Sequence, residues 1–301
     1  MNAPLTPLQI WMMAARPRTL PAAVAPVVVG SALAFYDGGF RLGPALAAVL
    51  GALLLQIGAN FTNDVFDYQH GADTSLRTGP TRVTQSGLLS PRQVKAGMLV
   101  VFGLAALCGV YLIYAAGWPV AVIGLLSILA AVAYTGGPYP LGYHGLGEVF
   151  VFLFFGLAAV GGTYFVHTRM ITAAALAACI PIGCLVVAIL VVNNLRDVPT
   201  DRATGKRTLA VRFGEVWTRK EYVVLLAVAY LSVFLLGLSG LLPLWVALSW
   251  LSLPQAIPLI RSINQEEGRA LNRTLAGTGQ LELSFSLLFA MGLVIAKVIG
   301  A

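Results

Sequence analysis

The chain alternates long apolar stretches with polar gaps, and the stretches fall at roughly 19–36, 42–62, 94–116, 118–135, 147–166, 171–195, 221–238, 241–260 and 279–299. Each is close to the ~20 residues a helix needs to cross the hydrocarbon core. None shows the apolar-out, polar-in alternation of a barrel strand. Only helices and closed barrels satisfy every backbone group in lipid. The pattern therefore predicts an all-α integral membrane protein of nine transmembrane helices, forming a single domain over residues 1–301.

The gaps are unequal. Those near 63–93 and 196–220 are long and polar, while those near 37–41, 116–118, 167–170 and 239–241 are short. With the N-terminus inside, both long gaps fall on the same face of the membrane. Basic residues around 16–18, 77–95, 196–220 and 261–273 fall there too, leaving only Arg41, Arg169 and Lys297 on the other side. The excess of Lys and Arg marks that face as cytoplasmic. The expected location is thus the inner (cytoplasmic) cell membrane, with the N-terminus in the cytoplasm and function crowded onto the cytoplasmic loops.

Composition agrees with a lipid bilayer as the surrounding medium. The 301 residues are 58% hydrophobic and 10% charged, against roughly 25% charged in a soluble domain. A net charge of +7 could suggest nucleic acid. The bases sit in interhelical loops rather than in a continuous stripe, so topology and phosphate binding account for them and no nucleic-acid partner is expected. Cys108, Cys179 and Cys184 all lie inside predicted helices and read as small buried hydrophobes, with no disulfide frame. His70, His144 and His167 are scattered and make no ligand set. Arg16 and Arg18, an apolar run and Ala32-Leu33-Ala34 imitate a secretory leader. Pro21, Pro26 and the immediately following span favour a retained first helix.

Two acidic clusters close apolar runs: Asn63-Asp64-Val65-Phe66-Asp67 followed by Asp73, and Asn193-Asn194-Leu195-Arg196-Asp197 followed by Asp201. They follow the second and sixth predicted helices, an echo that either a four-helix repeat or convergence would produce. Two like charges about 4 Å apart repel by about 4 kcal/mol at an effective dielectric near 20, so such clusters call for a cation. The spacing of four stacks Asn63 with Asp67, and Asn193 with Asp197 and Asp201, on one helical face. Pro199 argues against a continuous helix through the second set. Hard oxygens of this kind suit Mg²⁺, which takes one or two carboxylates together with phosphate oxygens and water. The expected metal set is Asn63, Asp64, Asp67, Asp73, Asn193, Asp197 and Asp201. Helix caps and ion pairs to Arg77, Arg82, Arg196 or Arg202 are the competing reading.

Bases stand beside the acids: Arg77 and Arg82 in the first loop, and Lys206, Arg207 and Arg212 in the second. Acids that hold Mg²⁺ next to bases that reach phosphate oxygens describe a diphosphate site. Arg82 and Lys206 are its leading members, because each lies in a polar, Gly-bearing segment rather than at a helix end. The segment Tyr134 to Tyr143 holds Tyr134 and Tyr139 as possible hydroxyl donors to an oxyanion, against the alternative of an interfacial aromatic belt. Glu148 and Glu282, near the cytoplasmic ends of predicted helices, are functional candidates or acids placed favourably in a helix dipole.

These residues resemble the UbiA superfamily of intramembrane aromatic prenyltransferases. The motifs that carry the resemblance are Arg16-Pro17-Arg18-Thr19, Asn63-Asp64-x-x-Asp67, Gly71-x-Asp73, Gly79-Pro80-x-Arg82, Tyr134-Thr135-Gly136-Gly137-Pro138, Gly145-Leu146-Gly147-Glu148, Asn193-Asn194-Leu195-Arg196-Asp197, Thr200-Asp201 and Gly205-Lys206-Arg207. Within the superfamily the chain is most similar to members that prenylate 1,4-dihydroxy-2-naphthoate. The resemblance implies nine helices around a central cavity, an active site at the cytoplasmic face, two Mg²⁺ ions and a polyprenyl diphosphate donor. It also implies loss of CO₂ from the acceptor, giving demethylmenaquinol in menaquinone biosynthesis. Gly71 stands where relatives often carry the last Asp of the first motif, which leaves that role to Asp73. Pro138 stands where some relatives carry a base. In this reaction Asp67 and Asp197 are essential, and Asp73 or Glu148 can take a naphthol proton. Two rivals remain: prenyl transfer to 4-hydroxybenzoate or another phenol, and divalent-cation transport.

Overall fold

The structure is a computed structural model and describes residues 5–73 and 78–300. It is helical throughout these residues, with no strand among them. The helices are α1 (Pro7–Ala15), α2 (Pro21–Tyr36), α3 (Leu42–Gln69), α4 (Pro91–Ala116), α5 (Pro119–Ala133), α6 (Gly147–Thr168), α7 (Ala173–Ala203), α8 (Leu209–Phe213), α9 (Glu215–Leu238), α10 (Leu244–Gln265) and α11 (Leu271–Ile299). Seven of them, α3, α4, α6, α7, α9, α10 and α11, are long and apolar enough to cross a membrane. The protein is a multi-pass membrane protein.

The first and fourth predicted spans differ from this group for separate reasons. The first is a bent pair, in which Pro7–Thr19 meets α2 at 51°. A residue before proline is pushed out of the helical region, and Arg16, ahead of Pro17, takes φ +52° and ends α1. The fourth, α5, has 15 residues, a length of about 22 Å against a hydrocarbon core of about 30 Å.

Both acidic clusters also sit differently from the expected polar gaps. Asn63, Asp64 and Asp67 occupy the last two turns of α3, and Asn193 to Asp201 lie inside α7. Helix α7 continues through Pro199. It is the most enclosed span, with 72% of its most apolar stretch buried, so a polar motif on it faces protein rather than lipid.

Loops from distant parts of the chain collect at two ends of the bundle. At one end Arg41 and Arg169 both donate to the Ala115 carbonyl at the close of α4, and Tyr164 donates to Asp37 at 2.5 Å. A cavity of about 470 Å³ lies among these groups. The acids gather at the other end. The main core joins α2, α6, α7, α9, α10 and α11, while a smaller one joins α1, α3 and α4 with the loop after α3.

Close approach of backbones holds α11 to the start of α10. A Cβ at Gly292 would fall within contact distance of the Trp245 carbonyl and the Val246 amide, both backbone groups. Overpacking typically costs about 1–3 kcal/mol. Gly292→Ala is expected to fall within or above that range, read as a lowered unfolding temperature in detergent.

Candidate active site

The end of α3 turns by a Schellman motif. Gly71 takes φ +69°, the Ala72 amide donates to the Asp67 carbonyl at 2.8 Å, and the Gly71 amide donates to that of Tyr68 at 3.1 Å. Glycine is the residue that adopts this left-handed cap without a Cβ penalty. The turn folds Asp73 back beside Asp67, and Arg82 joins them: its Nη2 donates to Asp67 Oδ2 at 2.9 Å and its Nε lies 3.2 Å from Asp73 Oδ2. All three side chains are buried.

Asp64, one residue off this line, is used differently. Its two oxygens accept the backbone amides of Val83 and Thr84 at 3.2 and 2.9 Å, and Arg16 lies 3.8 Å away. That fastens the loop carrying Arg82 to α3. Asn63 accepts from the Thr135 hydroxyl at 3.0 Å.

On α7 the buried Arg196 organises the second cluster. It donates to both Asp197 oxygens at 2.8 and 2.6 Å, to Asn193 Oδ1 at 2.8 Å and to Asn272 Oδ1 on α11 at 2.9 Å. Thr78 ties this cluster to the loop after α3. Its hydroxyl donates to Asp197 Oδ1 at 2.9 Å and its carbonyl accepts from Asn272 at 3.1 Å.

The two clusters meet through Lys206. Its ammonium lies 3.1 Å from Asp67 Oδ1 and 4.0 Å from Asp201 Oδ1, over the face of the Tyr143 ring at 4.5 Å. Tyr143 itself donates to Asp67 Oδ1 at 2.6 Å. Carboxylates from α3 and α7 thus come within reach of one cation, although the two helices share no extended packing interface. Among the described residues no three acid, His or Cys side chains form a cage on their own. The donors present are hard oxygens, the kind Mg²⁺ takes together with water and phosphate oxygens.

Burial, with the charges of Glu148, Asp67 and Asp201, pushes the Tyr134 hydroxyl well above its ordinary range. Burial and the adjoining Asp67 do the same to Tyr143. Both are proton donors at any working pH. Tyr143→Phe removes a hydrogen bond to a charged group, a contribution of about 1.5–3 kcal/mol. The expected result is a fall of about 10- to 100-fold in kcat/KM, read by steady-state kinetics.

Other expected residues lie elsewhere. Tyr139 is exposed and stacks on His144 with ring centroids 3.7 Å apart, so Tyr143 holds the place anticipated for it. The Arg207 side chain is exposed, and its backbone amide donates to the Tyr143 carbonyl at 2.9 Å. Arg77 lies outside the described residues. Glu148 is buried at the start of α6, where its Oε1 accepts from Asn194 at 2.8 Å. Glu282 lies about three turns into α11 rather than at its end, fully buried. Thr135 and Asn194 belong to the sequence motifs but were given no role of their own there, and Thr78 carried no sequence signal.

The UbiA prenyltransferase family profile matches residues 23–275. The chain belongs to this family. It is 40% identical to the 1,4-dihydroxy-2-naphthoate octaprenyltransferase of Mycobacterium tuberculosis, over 93% of this chain and 95% of that one. It is 36% identical to the enzyme of the same name from Haemophilus influenzae, over 96% of each. Among solved structures, a UbiA homolog from Archaeoglobus fulgidus bound to DMAPP and Mg2+ superposes with a TM-score of 0.69 at 15% identity, covering 95% of this chain and 99% of that one. At that identity the likeness to the UbiA homolog is one of fold.

Proposed function

We propose that the chain transfers a polyprenyl group from polyprenyl diphosphate to 1,4-dihydroxy-2-naphthoate, releasing diphosphate and CO₂ and forming demethylmenaquinol for menaquinone biosynthesis. The observation that carries this is Lys206 joining Asp67 of α3 to Asp201 of α7, with Arg82 seated between Asp67 and Asp73. Acids and bases so interleaved suit a metal–diphosphate ligand. The relatives, 1,4-dihydroxy-2-naphthoate octaprenyltransferases over nearly their full length, supply the acceptor.

In this reading the domain crosses the inner membrane nine times, with α2 and α5 completing the set and the acidic end in the cytoplasm beside the N-terminus. Asn63, Asp67, Asp73, Asn193, Asp197 and Asp201 would hold two Mg²⁺ ions, with Asp64 serving the loop instead. Bound there, Mg²⁺ supplies charge neutralisation for the departing diphosphate. Arg82 and Lys206 turn from the carboxylates toward diphosphate oxygens, and the Tyr143 and Tyr134 hydroxyls donate beside them. The apolar bundle keeps water from the allylic carbon as its C–O bond breaks. The ring carbon bearing the carboxylate bonds to that carbon, the C–CO₂ bond then breaks, and its electron pair restores the aromatic ring. No ring proton needs a base. Glu148, close to Tyr134, accepts the hydrogen bond of the neighbouring naphthol hydroxyl and can hold its proton.

The test is the product made by the purified chain from a long-chain prenyl diphosphate, Mg²⁺ and 1,4-dihydroxy-2-naphthoate. A decarboxylated prenyl naphthoquinol, absent when EDTA is added, is expected. A product from 4-hydroxybenzoate instead would move the chain to another acceptor. Mg²⁺ flux into liposomes without donor would favour transport, although the four aspartates of the site share one end of the bundle instead of lining its midplane.

A further inference from the structure

Among the described residues, the three bases at the end of the bundle away from the aspartates converge on one cavity. Arg41 precedes α3, Arg169 follows α6 and Lys297 lies in the last turn of α11. The cavity, of about 470 Å³, is lined by Asp37, Arg41, Tyr164, His167, Arg169 and Met170 among others. A Cβ placed on Gly38, also on its wall, would lie 3.7 Å from Lys297 Nζ. Asp37 is the acid described at this end, and it already accepts from Tyr164. The guanidinium groups are short of acceptors. Arg41 Nη1 and Arg169 Nε and Nη2 all donate to the Ala115 carbonyl, at 3.2, 3.2 and 2.8 Å, more donors than its lone pairs accommodate. Arg41 Nη2 reaches the Val166 carbonyl, while its buried Nε has no hydrogen-bond partner. The carbonyl ends of α4 and α6 offset part of the positive charge. Three cations still outnumber one acid.

Two guanidinium groups with N–H donors to spare, beside an ammonium and around an opening, match a phosphate anion, which guanidinium binds through paired N–H groups. The rim of the cavity adds an apolar requirement. Phe40 and Met170 on its wall are exposed, as are Ile171 next to Met170 and Trp118 shortly after Ala115. A free anion leaves those side chains uncovered, whereas acyl chains cover them. We propose that this cavity binds the headgroup phosphate of an anionic phospholipid, with Arg41 and Arg169 on the phosphodiester, Lys297 beside them, and the acyl chains along Phe40, Met170 and Ile171. Basic pockets between membrane helices take such headgroups. A phosphatidylcholine headgroup brings its own cation against three bases, and phosphatidylglycerol brings none. The seated phosphate ties the 37–41 loop to the ends of α4, α6 and α11, so the lipid stabilises the folded bundle by mass action. The site lies at the opposite end of α3 from Asp67 and does not rest on the proposed prenyl transfer.

The experiment reads the unfolding temperature of the purified full-length chain in detergent as phosphatidylglycerol, phosphatidylcholine or inorganic phosphate is added. Phosphatidylglycerol should raise it by about 3–5 °C more than phosphatidylcholine does, the size of shift given by a ligand well above its Kd, and inorganic phosphate should raise it by less than about 1 °C. Arg41→Gln/Arg169→Gln should cut the phosphatidylglycerol excess to about 1 °C or less. Lys220→Gln/Arg261→Gln, which removes two exposed bases at the other end of the bundle, should keep it. If the arginine pair does not fold, Arg169→Gln/Lys297→Gln carries the test, since both side chains are exposed, and an excess reduced to about half or less is the supporting result. An equal rise from phosphatidylcholine, or an excess that survives in these cavity variants, overturns the inference. Loss of the excess in Lys220→Gln/Arg261→Gln overturns it as well, because the lipid would then be answering net charge. An equal rise from inorganic phosphate would make the ligand a free anion and remove the lipid.

Discussion

Asp67→Asn lowers turnover by about 10²- to 10³-fold, the range for removing one electrostatic stabiliser of a charged transition state, and leaves the protein folded. Asp67 is where three cationic or hydroxyl donors converge: Arg82, Tyr143 and Lys206. Asparagine keeps an acceptor oxygen for Tyr143 and the same shape, so the local packing survives. What disappears is the negative charge that balances Arg82 and Lys206 and that would hold Mg²⁺. Asp73 and Asp201 still face Arg82 and Lys206, so losing one buried charge should lower the unfolding temperature in detergent without preventing folding, while Mg²⁺-dependent binding of prenyl diphosphate weakens along with turnover. Near-normal turnover would remove Asp67 from the proposed metal site.

That Asn63 and Asp67 stand on one face at the close of an apolar run was legible from sequence, because helical periodicity and charge alone put them there. The same holds for Asn193, Asp197 and Asp201, with α7 continuing through Pro199 because its surroundings outweigh one missing amide. Which tyrosine enters the site was not legible. Tyr143 faces Asp67 because a short 3₁₀ turn, Leu141–His144, closes on Gly145 at φ +73°, while Tyr139 is left outside on His144. No periodic signal encodes a turn of that size. Arg196 read as one member of an ion pair, since neighbours at i and i+1 do not face each other on a helix. Its long side chain curls back to Asp197, and the contact to Asn272 spans 76 residues of sequence. The bend at Arg16-Pro17 and the short α5 were hidden for a different reason: hydropathy counts apolar residues and is blind to the direction of the axis.

Arg196→Met destabilises the protein by about 3–5 kcal/mol, the cost of breaking a buried ion pair from one side, and abolishes turnover. Arg196 is 1% exposed, and its guanidinium bonds Asp197 through two atoms while also reaching Asn193 and Asn272. Methionine fills the volume and removes every donor. Asp197 then keeps a buried charge without its guanidinium, with Thr78 still donating to it. Since most of the penalty is the loss of that counter-charge, Arg196→Met/Asp197→Asn should be more stable than Arg196→Met alone, though equally inactive. Arg196→Lys should fall between wild type and Arg196→Met in stability, because an ammonium restores charge without the planar fork that matches a carboxylate. Unfolding temperatures of the three variants in one detergent decide the matter. A double variant no more stable than Arg196→Met would mean that Arg196 acts by packing and not by holding the charge of Asp197.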